Sequence, residues 1–126
     1  MLTPVIREIT QERINYYAEA SGDDNPLHVD EEFAANSIFG STVAHGMLVL
    51  ALVSEMMQTA FPREWASGGS LKIRFKRPTF PGDTVTANGE LLSENSSGTT
   101  FAVSCVNQKG EVLLEGKAVV RKQRDI

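Results

Sequence analysis

The chain has 126 residues, of which 41% are hydrophobic and 22% charged, a length and composition that predict one globular domain over residues 1–126. Its net charge of −4 argues against a nucleic-acid-binding protein, which usually carries a basic surplus. The single cysteine, Cys105, cannot form an internal disulfide, and its apolar neighbours predict a buried thiol.

The N-terminal third of the chain carries helix signals around a polar loop. The first ten residues lack the charged segment and apolar core of a secretory signal, so we expect a cytoplasmic protein. After a short β-prone segment, Thr10 offers a hydroxyl N-cap to a helix over residues 11–20, and Gly22 is expected to end it. Asp30 can cap a further short helix over residues 31–36.

The most unusual element is an apolar segment over residues 46–61, which opens with seven consecutive apolar residues. It is too short and too interrupted by polar residues to span a bilayer, which needs roughly 20 apolar residues. A helix that is apolar almost all round must be covered by protein instead. We therefore predict a long buried helix and no membrane contact.

The rest of the chain alternates in the manner of β-strands. The predicted strands cover residues 70–78, 84–94, 99–108 and 111–122. Short polar connections between the last three are typical of hairpins, which make neighbouring strands antiparallel. The fold class that fits is α+β, with an antiparallel sheet curved around one long helix.

The polar loop GDDNPLH has the residues of a rigid turn. Gly22 permits a backbone conformation closed to other residues, Pro26 fixes its own φ, and Asn25 can bond to the local backbone. Pro26 also argues against an ordinary helix through the loop. These ordinary turn residues are compatible with a purely structural loop, so the pattern needs support from its chemistry.

That chemistry is a carboxylate and an imidazole on the same loop. Asp23 or Asp24 can accept a proton from water, and His28 is suited to pass a proton at neutral pH. The residues alone do not choose between the two aspartates. A carboxylate that ends the preceding helix and a merely packed histidine are the structural alternative.

A second candidate feature begins the apolar helix. Gly46 leaves unpaired backbone N–H groups at the helix N-terminus, which can hold a developing oxyanion. His45 precedes it and either touches substrate there or, as we favour, positions the site through a backbone hydrogen bond. A metal bound by His28, His45 and a carboxylate lacks a recognised ligand spacing, so no metal is expected.

At these residues the chain resembles a known family. YYAEASGDDNPLHVDEEFA (residues 16–34), AHGML (44–48) and RFKRPTFPGDTV (74–85) are similar to motifs of the MaoC-like (R)-specific enoyl-thioester hydratases and 3-hydroxyacyl-thioester dehydratases. The resemblance covers almost the whole chain. It implies the hot-dog fold and a homodimer formed by joining two sheets.

The resemblance also implies roles for the loop residues. Asp23 and His28 correspond to the catalytic pair that binds one water, with Asp24 at a variable position, while Asn25 and Pro26 hold the loop. Gly46 would offer its N–H to the thioester carbonyl. The implied reaction needs no cofactor, because a coenzyme A or acyl-carrier-protein thioester is itself the substrate.

Three alternatives remain open at this point. A hot-dog thioesterase would use a helix carboxylate such as Glu55, and a 3-hydroxyacyl-ACP dehydratase would run the same chemistry in fatty acid synthesis. A non-catalytic binder of acyl thioesters would be indicated by loss of the Asp23 and His28 pair, which is intact in this sequence. A cationic stripe is either a phosphate or carrier-protein contact or a solvated face; it comprises Lys72, Arg74, Lys76 and Arg77.

Overall fold

The computed structural model describes residues 2–122 and contains five helices and five strands within them. In chain order they are β1 (Val5–Glu8), α1 (Gln11–Ser21), α2 (Pro26–Val29), α3 (Glu31–Ala35), α4 (Gly46–Ala60), α5 (Glu64–Gly68), β2 (Gly69–Phe75), β3 (Thr84–Asn95), β4 (Gly98–Val106) and β5 (Val112–Arg121). Over this range, no helix has both the length and the hydropathy to cross a membrane.

The strands form one antiparallel sheet in the order β1-β3-β4-β5-β2. The strands β3, β4 and β5 are sequential neighbours joined by short connections, as the hairpin signals predict. The strands β1 and β2 lie at the two edges. Because β2 precedes β3 in the chain but lies at the far edge beside β5, the connection between β2 and β3 crosses the sheet past β5 and β4.

The helix α4 packs against this sheet and supplies the centre of the core. Five of its side chains are buried, and they cluster with apolar side chains from β3, β4 and β5. Its opposite side is open, since Met47 is 57% exposed and Ala51 and Glu55, four and eight residues later, are also exposed. The predicted α+β arrangement is confirmed, while the sheet of one chain covers only one side of the apolar helix.

The predicted helix ends are confirmed by their caps. The Thr10 side chain accepts a hydrogen bond from the N–H of Arg13 at 3.1 Å, and Gly22 ends α1 with φ of 80°, in the left-handed region that glycine favours. Asp30 caps α3 by accepting from the N–H of Phe33 at 3.1 Å. These local signals therefore fix where the polar loop begins and where it ends.

Two short helices differ from the sequence prediction. The helix α5 follows α4 where no helix was predicted. The helix α2 begins at Pro26, inside the loop where a proline was expected to prevent a helix. The physical reason is position: proline lacks an N–H, but the first residue of a helix has no intrahelical partner for that group.

Candidate active site

The polar loop is folded into a single helical turn that presents His28. The Asn25 side chain caps this turn by accepting from the N–H of Leu27 at 3.0 Å, and the N–H of His28 donates to the Asn25 carbonyl at 2.9 Å. Pro26 occupies the first helical position with its preset φ. The predicted roles of Asn25 and Pro26 in shaping the loop thus correspond to identifiable contacts.

The imidazole of His28 is fixed by a long-range hydrogen bond. Its Nδ1 lies 2.8 Å from the carbonyl oxygen of Val43, and the side chain is half-buried. A carbonyl can only accept, so Nδ1 carries the hydrogen and donates it. The other ring nitrogen, Nε2, therefore carries a lone pair and can accept a hydrogen bond.

A second contact holds the same turn from the side of α1. The Gln11 side chain donates to the backbone carbonyl of His28 at 2.9 Å, and its own oxygen accepts from the Thr42 hydroxyl at 2.7 Å. Thr42 is buried. The sequence analysis missed Gln11 and Thr42, because their partners are 17 and 31 residues away and no local pattern marks them.

His45 brings the two halves of the site together. Its Nε2 lies 2.8 Å from the backbone carbonyl oxygen of Asp23, and its ring stacks on that of His28 with centroids 3.8 Å apart and planes 24° apart. Tyr17 contacts the same ring at 4.8 Å. Asp23, His28 and His45 each place one side-chain ligand atom within 4.8 Å of the others, and Asp24 is not one of this group.

The N-terminus of α4 lies directly beside this cluster. His45 is the N-cap residue and Gly46 the first helical residue, and no side chain caps the helix. The first N–H groups of a 15-residue helix therefore face the site carrying the positive end of the helix dipole. Gly46 is exposed, so its backbone is open to a ligand.

An apolar cavity opens next to Gly46. It has a volume of about 320 Å³ and is lined by residues of α4, β5 and the segment after β2, among them Val49, Phe75, Lys76 and Arg77. A Cβ built on Gly46 would lie 2.9 Å from Cε1 of Phe75. The helix terminus and this aromatic ring thus form adjoining parts of one cavity wall.

The cationic stripe is partly neutralised by acidic neighbours. Lys76 pairs with Glu115 at 2.8 Å, and Arg77 lies 3.8 Å from Glu111. All four side chains are substantially exposed, which limits the worth of each pair to about 1 kcal/mol or less. Lys76 and Arg77 nevertheless line the cavity beside Gly46, where they would meet an anionic part of a ligand.

The geometry of the two imidazoles does not favour a metal. A ligating nitrogen directs its lone pair in the plane of its ring, so two ligands of one ion need planes that converge on a point. The His28 and His45 rings are instead stacked, with their planes only 24° apart. The arrangement suits proton transfer and ring positioning better.

Two other candidate groups are placed away from this chemistry. Glu55 forms a two-oxygen ion pair with Arg7, with both oxygens 3.0 Å from Arg7 Nη2. Cys105 is buried in the core, and burial raises the pKa of its thiol to about 12. The cysteine is therefore a core residue, as predicted.

Comparison with known proteins identifies the class. A protein-family model described as "MaoC like domain" matches residues 1–112, so the chain belongs to the MaoC-like family. A relative from Rhodospirillum rubrum named "(R)-specific enoyl-CoA hydratase" is 34% identical over 116 residues, which are 90% of this chain and 80% of that protein. A relative from Methylorubrum extorquens named "3-hydroxybutyryl-CoA dehydratase" is 33% identical over 122 residues, 95% of this chain and 78% of that protein.

Solved structures agree with the sequence relatives. The structure titled "(R)-hydratase from A. caviae involved in PHA biosynthesis" aligns with a TM-score of 0.83 and 30% identity, covering 98% of this chain and 95% of that one. Both the expected family and the expected hot-dog fold are thereby confirmed.

Proposed function

We propose that the chain is an (R)-specific enoyl-CoA hydratase acting as a single domain. This hydro-lyase reversibly adds water to trans-2-enoyl thioesters and gives (R)-3-hydroxyacyl thioesters. The observation that carries the proposal is the meeting of Asp23 and His28 with an uncapped helix N-terminus at Gly46. The names of both relatives support the reaction class, and the name of the Rhodospirillum rubrum relative also supports the (R) configuration.

The catalytic steps follow from what each group can donate or accept. Nε2 of His28 and the carboxylate of Asp23 bind one water between them. As the water oxygen bonds to the β-carbon, Asp23 accepts its proton, and the electrons of the double bond move toward the thioester carbonyl. The resulting enolate takes a proton at the α-carbon through the Asp23 and His28 pair, which returns both groups to their starting states.

The helix terminus supplies the electrostatic part of the mechanism. The N–H of Gly46 donates to the thioester oxygen, where negative charge develops as the enolate forms. Such a donor contributes more in the transition state than in the ground state. Asn25, Pro26 and Gly22 serve by fixing the loop, and the acid–base reaction requires no redox cofactor or metal.

The thioesterase alternative has less support. A thioesterase would need a carboxylate close to the carbonyl that Gly46 holds, and Glu55 lies nine residues further along α4. At 1.5 Å per residue that is about 13 Å away along the helix axis. Glu55 is also exposed and engaged by both its oxygens with Arg7, so it is not an apolar, poised base.

We propose coenzyme A as the thiol carrier and a homodimer as the assembly. Lys76 and Arg77 at the cavity beside Gly46 suit the phosphates of coenzyme A, although an acidic acyl carrier protein offers similar charge. The edge strand β2 and the exposed apolar part of α4 suit pairing with a second copy. Light scattering on the purified chain tests the dimer, and a cytoplasmic location stays a prediction.

The deciding experiment mixes the purified protein with a short trans-2-enoyl-CoA and follows enoyl absorbance and free thiol together. Loss of the enoyl signal without thiol release supports hydration. Thiol release would support a thioesterase and direct attention to Glu55. Chiral analysis of the product then tests the (R) configuration, and a parallel assay with the acyl-carrier-protein thioester tests the carrier.

A further inference from the structure

His45 is the most deeply buried polar side chain of the site. It is 2% exposed and lies between the polar loop and α4 as the N-cap residue of that helix. Its Nε2 lies 2.8 Å from the Asp23 carbonyl oxygen, so this nitrogen must carry a hydrogen and donate it. The donor capacity of the neutral ring is therefore already used on the backbone of the proposed base.

The other nitrogen of the His45 ring, Nδ1, is not a free donor either. Nδ1 of His45 is buried and has no hydrogen-bond partner among the residues that the structure describes. Leaving a buried polar atom without a partner costs free energy, so native structures contain few such atoms. With its hydrogen on Nε2, the ring has no donor at Nδ1 to offer an oxyanion.

The faces of the ring make the remaining contacts. The His28 imidazole stacks on it with centroids 3.8 Å apart, and Tyr17 packs against it at 4.8 Å in a tilted arrangement. A single rigid ring thus contacts the backbone of Asp23 through its edge and the side chain of His28 through its face. Gly46 is the next residue along the chain, so each of the three proposed catalytic groups either contacts the His45 ring or is bonded directly to its residue.

We propose that His45 is a positioning residue that holds the Asp23 backbone and the His28 ring in register with the N–H of Gly46. The expected effect of His45 on the rate rests on the proposed function, whereas its hydrogen bond to Asp23 and its stacking on His28 do not. In this role His45 does not itself touch substrate. Because a displacement of about 1 Å at a catalytic group can cost about 10²-fold in rate, loss of the ring is expected to act on kcat.

The first test is the tautomer of each ring, read from long-range proton–nitrogen correlation spectra. The chain has only two histidines, so the His28→Asn variant assigns both signals. His45 is expected to carry its hydrogen on Nε2 and His28 on Nδ1. A His45 ring protonated on Nδ1 alone would overturn the inference, and this result does not depend on whether the protein hydrates enoyl thioesters.

The second test compares His45→Gln with His45→Phe. Glutamine keeps a donor near the position of Nε2 without the ring, and phenylalanine keeps a ring without the donor. His45→Phe is expected to lower kcat by about 10²-fold with KM nearly unchanged, and His45→Gln to recover most of that loss. Equal losses in the two variants would overturn the role of the hydrogen bond to Asp23.

The third test asks whether His45 acts through Asp23. His45→Phe added to Asp23→Asn is expected to lower kcat by much less than the 10²-fold expected in the otherwise unaltered protein, because one of the two groups that His45 positions is already gone. A full additional 10²-fold loss would show an independent role and contradict the inference. Should His45→Phe fail to fold by circular dichroism, the tautomer measurement on the unaltered ring still decides.

Discussion

The assignment of Asp23 rather than its neighbour as the base is tested by two matched substitutions. Asp23→Asn and Asp24→Asn each remove one negative charge from the same exposed loop. Only Asp23 belongs to the cluster with His28 and His45 in which the ligand atoms lie within 4.8 Å of one another. Any effect of loop charge alone must appear in both variants, whereas loss of the base must appear in one.

The expected magnitude follows from the role. A positioned general base contributes about 10²- to 10⁴-fold to the rate, equivalent to roughly 3 to 5 kcal/mol of activation free energy. Asp23→Asn is expected to lower kcat by that factor, because an amide cannot accept the proton of water. Asp24→Asn is expected to leave kcat within about twofold of the unaltered protein, as an exposed charge away from the reacting atoms contributes little.

Stability provides the control for this comparison. Asp23 and Asp24 are both exposed, and asparagine matches the shape of aspartate, so neither change is expected to alter the free energy of unfolding by more than about 0.5 kcal/mol. That corresponds to a melting-temperature shift of about 2 °C or less. Thermal unfolding followed by circular dichroism checks this.

Steady-state hydration of a short trans-2-enoyl-CoA is the assay for the pair. A loss of less than about tenfold in Asp23→Asn would refute the assignment of the base. Equal losses in the two variants would instead attribute the effect to the charge of the loop. Loss in Asp24→Asn alone would assign the base to the other aspartate.

The imidazole, the helix start and the buried thiol each provide a further test. His28→Asn can still donate to the Val43 carbonyl and should fold normally, yet without Nε2 its kcat is expected to fall by about 10²- to 10⁴-fold. Combined with Asp23→Asn, it is expected to cause little further loss of kcat. Full additivity of the two losses in kinetic assays would contradict a shared water. Gly46→Ala would place its methyl carbon 2.9 Å from Cε1 of Phe75, which is closer than carbon atoms pack. The exposed Phe75 ring must therefore move, so the melting temperature is expected to fall while the protein still folds, and kcat/KM is expected to fall at least about tenfold. Unchanged kcat/KM would contradict thioester binding at this terminus. Burial raises the pKa of the Cys105 thiol to about 12, so at pH 8 a thiol reagent is expected to react only after unfolding in denaturant, and prompt reaction of the native protein would contradict a sealed core.

The parts of the fold that could be predicted are those governed by local chemistry. A hydroxyl at Thr10 and a carboxylate at Asp30 satisfy N–H groups three residues away, so the sequence window contains both donor and acceptor. Strand alternation likewise needs only neighbouring residues. The helical turn at Pro26 was missed although its signal is also local. Asparagine is a favourable N-cap, and proline is favourable at the first helical position that follows it.

The parts of the site that could not be predicted depend on residues far apart in the chain. The Nδ1 of His28 bonds to a carbonyl 15 residues away, and Nε2 of His45 bonds to one 22 residues away. Backbone carbonyls occur at every residue, so no residue type marks these acceptors. The motif resemblance predicts Asp23 and His28 as the catalytic pair, but the contacts that orient the loop arise only when α1, α2 and the start of α4 are packed together.

Backbone hydrogen bonds link the polar loop to the connection between β2 and β3. The N–H of Val43 donates to Leu27 at 3.2 Å while its carbonyl accepts from His28, and the N–H of Ala44 donates to the Thr79 carbonyl at 2.8 Å. A short extended segment before α4 therefore bonds to the loop on one side and to the segment between β2 and β3 on the other. Because His45 and Gly46 follow directly, the His28 imidazole and the proposed oxyanion donor, the N–H of Gly46, are oriented by the same segment. The separation between the proposed water-binding pair and the proposed site of the thioester carbonyl is thus set by backbone hydrogen bonds rather than by long, flexible side chains, as an addition across two adjacent carbons would require.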